Sequence, residues 1–135
     1  MAGYSSTPLW KKLGYQTGLS AFVPGAPPGY AGLLQLPADV RVTWLARAGR
    51  GMGFVHLFAL DAAVLHRRLA TLRRQIAPDG VIWVSWPKQS SGVATDITED
   101  TIRAIALPLG LVDIKVCAVD ATWSGVKLMI RKTER

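Results

Sequence analysis

Residues 78–100 read PDGVIWVSWPKQSSGVATDITED, a turn followed by an apolar strand, a polar loop and the start of a helix. The run 81–86 is apolar on both alternating faces, so a strand there must be covered on both sides. Such coverage is typical of a parallel sheet between layers of helices. Asp79 and Gly80 predict the turn before the strand, and Pro87, which has no N–H, predicts its end. This strand is therefore the expected centre of a sheet.

The loop after this strand is the expected location of any ligand site. Residues 88–94 have neither a helical nor a strand period. Asp96 and Thr98 are alternative N-caps of the next helix, and Glu99 would complete a capping box that starts at Asp96. In open parallel sheets, ligands bind where the carboxyl ends of strands meet such loops. We therefore expect chemistry at residues 88–96.

The size and composition of the chain predict one soluble domain. Its 135 residues, half of them hydrophobic, suit a single α/β domain at 1–135. No apolar run approaches the ~18 residues of a membrane span, and the N-terminal residues lack the apolar centre of a signal peptide. We expect a cytoplasmic protein without a membrane partner. The single cysteine, Cys117, is interpreted as a small buried hydrophobe.

The net charge of +7 raises the question of nucleic-acid binding. The sixteen lysines and arginines are dispersed along the chain rather than clustered with base-reading groups. Dispersed charge indicates solubility and mild affinity for polyanions. The prediction is that the protein does not recognise specific nucleic acids.

The elements before residue 78 alternate between strands and helices. Thr7, Pro8 and Gly14 suit the N-cap, first turn and end of a short helix. The further predicted elements are a strand at 19–23, a loop PGAPPGY at 24–30, a short helix near 31–36, an edge strand at 40–45, a flexible loop at 46–53 and a strand at 54–60. His56 lies inside the last strand, where a hydrogen-bonded structural histidine is more common than a catalytic one.

The longest predicted helix begins after Asp61. Its core-facing stripe recurs at helical spacing and consists of Ala62, Leu65, Leu69, Leu72 and Ile76. The other face carries Arg67, Arg68 and Arg74, and is either a solvated surface or a docking surface for an acidic partner.

After residue 100 the pattern predicts a helix and a hairpin. Ile102, Ile105 and Leu109 line the helix, which Pro108 and Gly110 end. Strands at 111–120 and 126–131 follow, joined by residues 121–125. The fold class is thus a three-layer, Rossmann-like α/β fold with a mostly parallel sheet and a C-terminal antiparallel hairpin.

The segments LRRQIAPDGVIWVSW and LGLVDIKVCAVDATWSGVKLMIR, with a helix between them, are similar to the second half of class I S-adenosylmethionine methyltransferases. In that family a turn of the P-G-G kind precedes a late strand, and a hairpin closes the sheet. The resemblance implies a glycine-rich G-x-G-x-G loop after the first strand and an acidic residue after the second, which holds the cofactor ribose. Here these places read PGAPPG and Ala46-Arg47, so we expect no bound cofactor.

The chain also resembles, from end to end, a family of small bacterial proteins of unknown function. The segments that carry this resemblance are GYSSTPLWKKLG, WPKQSSGVATDITED and KVCAVDATWSGVKLMIR. The resemblance implies a bacterial domain and brings no activity with it.

The candidate ligand-binding residues combine a cation with hydroxyl groups and a glycine. Lys88 supplies a charge, Ser90 and Ser91 supply hydroxyls, and Gly92 allows close approach to the backbone, a combination that favours an anion. A parallel strand from Leu111 would bring a second group to the same sheet edge, namely Asp120, Thr122, Trp123 and Ser124. The alternative is that the serines and aspartates only satisfy loop backbone groups.

Motifs with a defined chemistry are absent from the sequence: it has no H-E-x-x-H, no P-loop and no convincing pair of catalytic carboxylates. The two histidines do not make a metal site by themselves. We therefore expect a non-catalytic binding or regulatory module for a small anionic ligand or a protein partner. The alternative is an enzyme with an altered nucleotide or S-adenosylmethionine pocket.

Overall fold

The computed structural model describes residues 7–135. The first residues of the GYSSTPLWKKLG segment lie outside this range. The helices are α1 (Leu9–Leu13), α2 (Tyr30–Leu34), α3 (Ala62–Gln75) and α4 (Glu99–Ala106), with 3₁₀ turns at Gln89–Ser91, Leu107–Leu109 and Lys132–Glu134. The strands are β1 (Ser20–Phe22), β2 (Thr43–Trp44), β3 (Met52–Phe58), β4 (Ile76–Pro87), β5 (Leu111–Ala118) and β6 (Trp123–Ile130).

The strands form one six-stranded sheet in the order β2-β1-β3-β4-β6-β5. The β1–β2, β1–β3 and β3–β4 pairs are parallel, whereas β6 is antiparallel to both β4 and β5. The predicted central strand therefore lies inside the sheet, with β2 at one edge and the C-terminal hairpin at the other end. These predictions of the sequence are confirmed.

Each face of the sheet is covered by a different part of the chain. On one face, Val55 and Val84 pack with Leu65 of α3 and Ile102 of α4. On the other face, Trp83 packs with residues of α1 and α2. The indole Nε1 of Trp83 donates a hydrogen bond of 2.8 Å to the carbonyl oxygen of Leu13. The three-layer arrangement follows because β4 is apolar on both sides.

Several element boundaries differ from the prediction. Pro8, and not Thr7, is the N-cap residue of α1. Ile76 has an extended backbone and starts β4, although its side chain still packs in the same core cluster as the α3 leucines. The edge strand β2 covers only two residues of the predicted six. Cys117 is only partly buried, and burial raises the pKa of its thiol.

Gly80 is required by close packing rather than by a turn. A Cβ at this position would lie 2.5 Å from Cγ1 of Ile76 and 2.9 Å from the carbonyl oxygen of Met52. The pairing of β3 with β4 shifts register here, between Met52 and Phe54. Residues 77–80 thus form an irregular entry to the central strand.

Of the two N-caps predicted for α4, the structure has Thr98, and the capping box from Asp96 to Glu99 is wrong. Thr98 is the N-cap, and its hydroxyl accepts the N–H of Thr101. The Thr101 hydroxyl in turn accepts the N–H of Thr98. Asp96 serves elsewhere, as described below.

No helix within residues 7–135 has the length and apolar content needed to cross a membrane. This finding concerns the helices only.

Replacing Val84 by Asp tests the buried centre of the sheet. Val84 is fully buried between β3 and β6. An unpaired charge there costs several kcal/mol, out of a total stability of about 5 to 15 kcal/mol, so we expect no soluble folded protein. The matched control is Val116→Asp on β5, where the side chain is 49% exposed. Circular dichroism and size-exclusion chromatography of both variants measure the difference, and a folded Val84→Asp protein would contradict the assigned position.

Candidate functional site

The parallel strands β1, β3 and β4 end at the same edge of the sheet, which we call the carboxyl edge. The segments that leave them there are residues 23–29, 59–61 and 88–98. The turn of the β5–β6 hairpin, residues 119–122, joins them, because Trp123 lies opposite Pro87 in the ladder. Four chain segments thus meet where ligands of open α/β sheets bind.

The residues predicted for a ligand site lie at this edge in two neighbouring segments. The backbone N–H of Lys88 donates to the carbonyl oxygen of Thr122 at 2.7 Å. This bond holds the loop of Lys88, Ser90, Ser91 and Gly92 beside the turn that carries Asp120 and Trp123. The expected juxtaposition is therefore present, and binding of an anion by these residues stays a prediction.

Two of these side chains are engaged by the backbone of their own loops. The Ser91 hydroxyl donates to the carbonyl oxygen of Lys88 at 2.6 Å and accepts the N–H of Val93 at 3.2 Å. Oδ1 of Asp120 accepts the N–H groups of Thr122 and Trp123 at 2.8 and 2.7 Å. These contacts are those of the alternative, in which serine and aspartate satisfy loop backbone groups.

The end of the same loop is tied to the start of α3. Oδ1 of Asp96 accepts the N–H of Ala62 at 2.8 Å, and the Thr95 hydroxyl donates to the carbonyl oxygen of Leu60 at 2.6 Å. Asp61, the predicted cap of α3, accepts the N–H of Val64 at 2.8 Å. The segments after β3 and β4 are consequently held together by side chains of both.

A depression of about 570 Å³ opens between the segments of the carboxyl edge. Its walls come from the loop after β1, the end of β3, the first two turns of α3, the loop after β4 and the hairpin; they are Gly25, Ala26, Pro27, Pro28, Phe58, Ala59, Leu60, Asp61, Val64, Arg68, Val93 and Trp123. Only Trp123 belongs to the predicted site residues. The sequence analysis did not single out the apolar residues that follow the ends of β3 and β4. Two of them, Leu60 and Val93, are 50% and 42% exposed in the structure.

A second depression of about 540 Å³ lies along the loop after β4 and has Gly92 in its wall. It extends from Trp86 to Glu99 and shares Val93 with the first depression.

The loop after β1 is held against the end of β3. The N–H of Phe58 donates to the carbonyl oxygen of Pro24 at 3.0 Å. Gly25 has a φ of 75°, and a Cβ there would lie 2.6 Å from the carbonyl oxygen of Phe58. Only glycine therefore fits, for both conformational and steric reasons.

A buried chain of hydrogen bonds lies beneath the carboxyl edge. The hydroxyls of Tyr15 and Tyr30 are 2.7 Å apart, and the Tyr30 hydroxyl lies 2.8 Å from Nδ1 of His56. Nε2 of His56 lies 2.7 Å from Oγ of Ser85. His56 and Ser85 are fully buried on neighbouring strands. The predicted structural role of His56 agrees with these contacts.

The side chains of this hydrogen-bonded series are uncharged at physiological pH. Burial lowers the pKa of the His56 imidazole to about 3, because desolvation penalises its charged form. Burial also raises the pKa of the Tyr15 and Tyr30 hydroxyls. A neutral imidazole has one donor and one acceptor nitrogen, which matches its two partners. The network thus connects α2, and with it the loop after β1, to the centre of the sheet.

No group of three metal-ligating side chains within residues 7–135 could hold a metal ion.

No family model and no curated protein matches the chain. Solved structures of similar fold include a SAM-dependent methyltransferase from Aquifex aeolicus, with a TM-score of 0.64 and 13% identity over 90% of this chain and 87% of that chain. The O-methyltransferase NcsB1 from neocarzinostatin biosynthesis has a TM-score of 0.65 and 15% identity, over 96% of this chain and 51% of that chain. Mitomycin 7-O-methyltransferase MmcR has a TM-score of 0.63 and 14% identity, over 83% and 49%.

The chain thus has the Rossmann-like fold of class I methyltransferases, as the sequence layout predicts, and spans about half the length of the last two enzymes. The further resemblance to a small bacterial family stays a prediction. Likeness of fold at this identity leaves the reaction open.

The carboxyl edge does not fit S-adenosylmethionine in the arrangement that the family resemblance implies. Pro24, Pro27 and Pro28 offer no N–H groups. Gly25 packs on the carbonyl oxygen of Phe58. The residues after β2 are Leu45, Ala46 and Arg47, so a ribose carboxylate is missing at that point. Any nucleoside bound here must be held by other groups.

The stability of the protein should depend on pH through His56. Above pH ~6.5 the imidazole is neutral in both states, and between pH ~6.5 and about 3 only the unfolded state binds the proton. The free energy of unfolding should therefore fall with decreasing pH, by roughly 2 kcal/mol between pH ~6.5 and ~5. Urea titrations across this range measure it.

The matched control for this titration is His66→Gln, because His66 is exposed on α3. This variant keeps the buried imidazole of His56, so the free energy of unfolding should still fall between pH ~6.5 and ~5. A wild-type protein whose free energy of unfolding is unchanged between pH ~7 and ~5 would contradict the neutral buried imidazole.

Gly25→Ala should destabilise the protein by about 1 to 3 kcal/mol, because it combines an unfavourable φ with a clash against backbone. Gly32→Ala is the control, since nothing lies within 4 Å of a Cβ at that helical position. The control should be neutral or up to about 1 kcal/mol more stable. Equal effects of both substitutions in thermal unfolding would refute the close approach of the loop to β3.

Proposed function

We propose that this protein is a methyltransferase-like enzyme whose altered pocket at the carboxyl edge binds a nucleoside-containing small molecule. The observation that carries the proposal is the depression between the loop after β1, the end of β3 and Trp123, in a fold shared with SAM-dependent methyltransferases. The likeness of fold supports this function better than the non-catalytic module that the sequence favours.

The walls of the depression suit a flat ring system. Trp123 stands edge-on to Phe58, with ring centroids 5.0 Å apart. Together with the prolines of the loop after β1 and Leu60, these rings give an apolar surface on which a purine is partly desolvated. The volume of about 570 Å³ lies within the range of small-molecule sites.

Polar groups in the same walls offer contacts for the rest of such a ligand. Oδ1 of Asp61 caps α3, which leaves Oδ2 as an acceptor for a ligand hydroxyl. The Arg68 guanidinium is a donor for a carboxylate or phosphate. Asp61 is the N-cap of α3 and Arg68 lies within α3. The pocket is altered in the sense that its polar groups come from this region and not from the end of β2.

Ligand binding is tested by thermal shift and calorimetry with S-adenosylmethionine, S-adenosylhomocysteine, adenosine and ATP. A ligand at 100 times its dissociation constant adds about 2.7 kcal/mol, which raises the melting temperature by roughly 10 °C for this chain length. We expect such a shift with at least one of these compounds. Leu60→Asp should weaken its binding about tenfold or more, because a charge enters the apolar wall.

The matched control is Leu107→Asp, which changes a similarly exposed leucine, 44% against 50%, away from the pocket. Equal affinities of both variants would place the ligand elsewhere. Sulfate and phosphate belong in the same screen, with Lys88→Ala and Ser91→Ala. If only these anions bind, and do so through Lys88, the non-catalytic anion-binding module replaces the proposed function.

A further inference from the structure

One face of the sheet is incompletely covered next to β1 and β2. Residues 45–51 connect β2 to β3 without a helix. Ser20 and Thr43 are paired neighbours on this face and are exposed. In a parallel sheet both faces are normally covered by helices. Here α3 and the connection 45–51 leave a gap between them.

A depression of about 270 Å³ marks this gap. Its floor is apolar and consists of Phe22, Ala48 and Leu72, which pack on or in the core cluster of this face. Its rim consists of polar residues of α3: Arg67, Arg68, Thr71 and Gln75. An apolar floor inside a charged rim is the composition of a docking site rather than of a solvated helix face.

The rim is basic and its arginines lack acidic partners within residues 7–135. The arginines that form ion pairs within these residues are Arg73, Arg103 and Arg131, and none of them belongs to the rim. Arg47 and Arg50 add charge, because they flank Ala48 in the connection 45–51. Gly51 donates its N–H to the carbonyl oxygen of Gln75 at 2.7 Å, so the end of the connection contacts the end of α3 and closes the gap on that side.

An unpartnered acceptor lies in the same rim. Oε1 of Gln75 is buried and has no hydrogen-bond partner among the described residues. A buried acceptor without a donor is costly, so this end of α3 is not optimised for the isolated protein. The apolar floor favours a polypeptide as the occupant, because a polypeptide carries both carboxylates for the rim and an apolar side chain for the floor, whereas a phosphodiester backbone has no apolar side chain.

We infer that the gap beside α3 is a docking surface for an acidic segment of another protein. The carboxylates of this segment pair with Arg67 and Arg68, and one of its apolar side chains enters the depression on Phe22 and Ala48. This docking surface adjoins the proposed small-molecule pocket and shares Arg68 with it, whereas Arg67, Phe22 and Ala48 line the docking surface and do not line that pocket. The inference therefore does not depend on the proposed function.

The surface is tested by fluorescence anisotropy at low salt with two labelled peptides of about ten residues. One consists of glutamates with a central phenylalanine, and the other has serine in place of that phenylalanine. The expected result is binding of the phenylalanine peptide, about tenfold tighter than the serine peptide. Arg67→Glu should weaken it about tenfold or more.

The matched control is Arg41→Glu, which reverses another exposed arginine. Arg41 precedes β2 and hydrogen-bonds to Thr17 and Gly18 before β1, whereas Ala48 follows β2. We expect it to change affinity by less than about twofold. Equal weakening by both reversals, or equal affinity for both peptides, would reduce the effect to general charge attraction and overturn the inference. Absence of binding would do the same, as would tighter, Arg67-dependent binding of a poly-uridine RNA of equal charge.

Discussion

The rest of the structure depends on the burial of β4 on both sides. Ile82, Val84 and Trp86 enter the core cluster under α3 and α4, and Trp83 enters the cluster under α1 and α2. Because neither face tolerates water, the chain must supply a layer for each. It uses the segment before β3 for one layer and the segments after β3 for the other. The parallel order of β1, β3 and β4, which brings their loops to one edge, follows from the crossovers that these layers require.

Ser85 is the polar exception on this strand, and its burial has consequences for the N-terminal part of the chain. A buried hydroxyl needs a partner, which His56 provides, and the second nitrogen of a neutral imidazole needs one in turn. Tyr30 and Tyr15 complete the series. The burial of one hydroxyl in the central strand is thus linked, through successive hydrogen bonds, to residues from three other segments. These bonds fix α2, the helix that follows the loop after β1.

Features set by neighbouring residues were predictable from the sequence, whereas contacts between distant segments were not. The apolar run of β4, its end at Pro87 and the cap at Asp61 each depend on local chemistry, and the structure has all three. The partners of the buried hydrogen-bonded chain are 15, 26 and 29 residues apart, so no local pattern indicates them. The carboxyl-edge depression was missed for the same reason: the sequence placed Leu60 in a strand and Val93 in a loop, and nothing local indicates that the two residues line one depression. The sequence left Asp96 and Thr98 as alternative N-caps of α4, because nothing local shows that the partner of Asp96, the N–H of Ala62, lies on another helix.

The position of β6 has a consequence for the order in which the chain can fold during synthesis. This strand lies between β4 and β5, although it follows both in sequence. While residues 123–130 are still inside the ribosome, β4 has an unpaired edge and β5 has no neighbour to pair with. The nascent chain therefore exposes a hydrophobic strand edge until nearly all of the described residues have emerged, which is the state in which chaperones bind and aggregation begins.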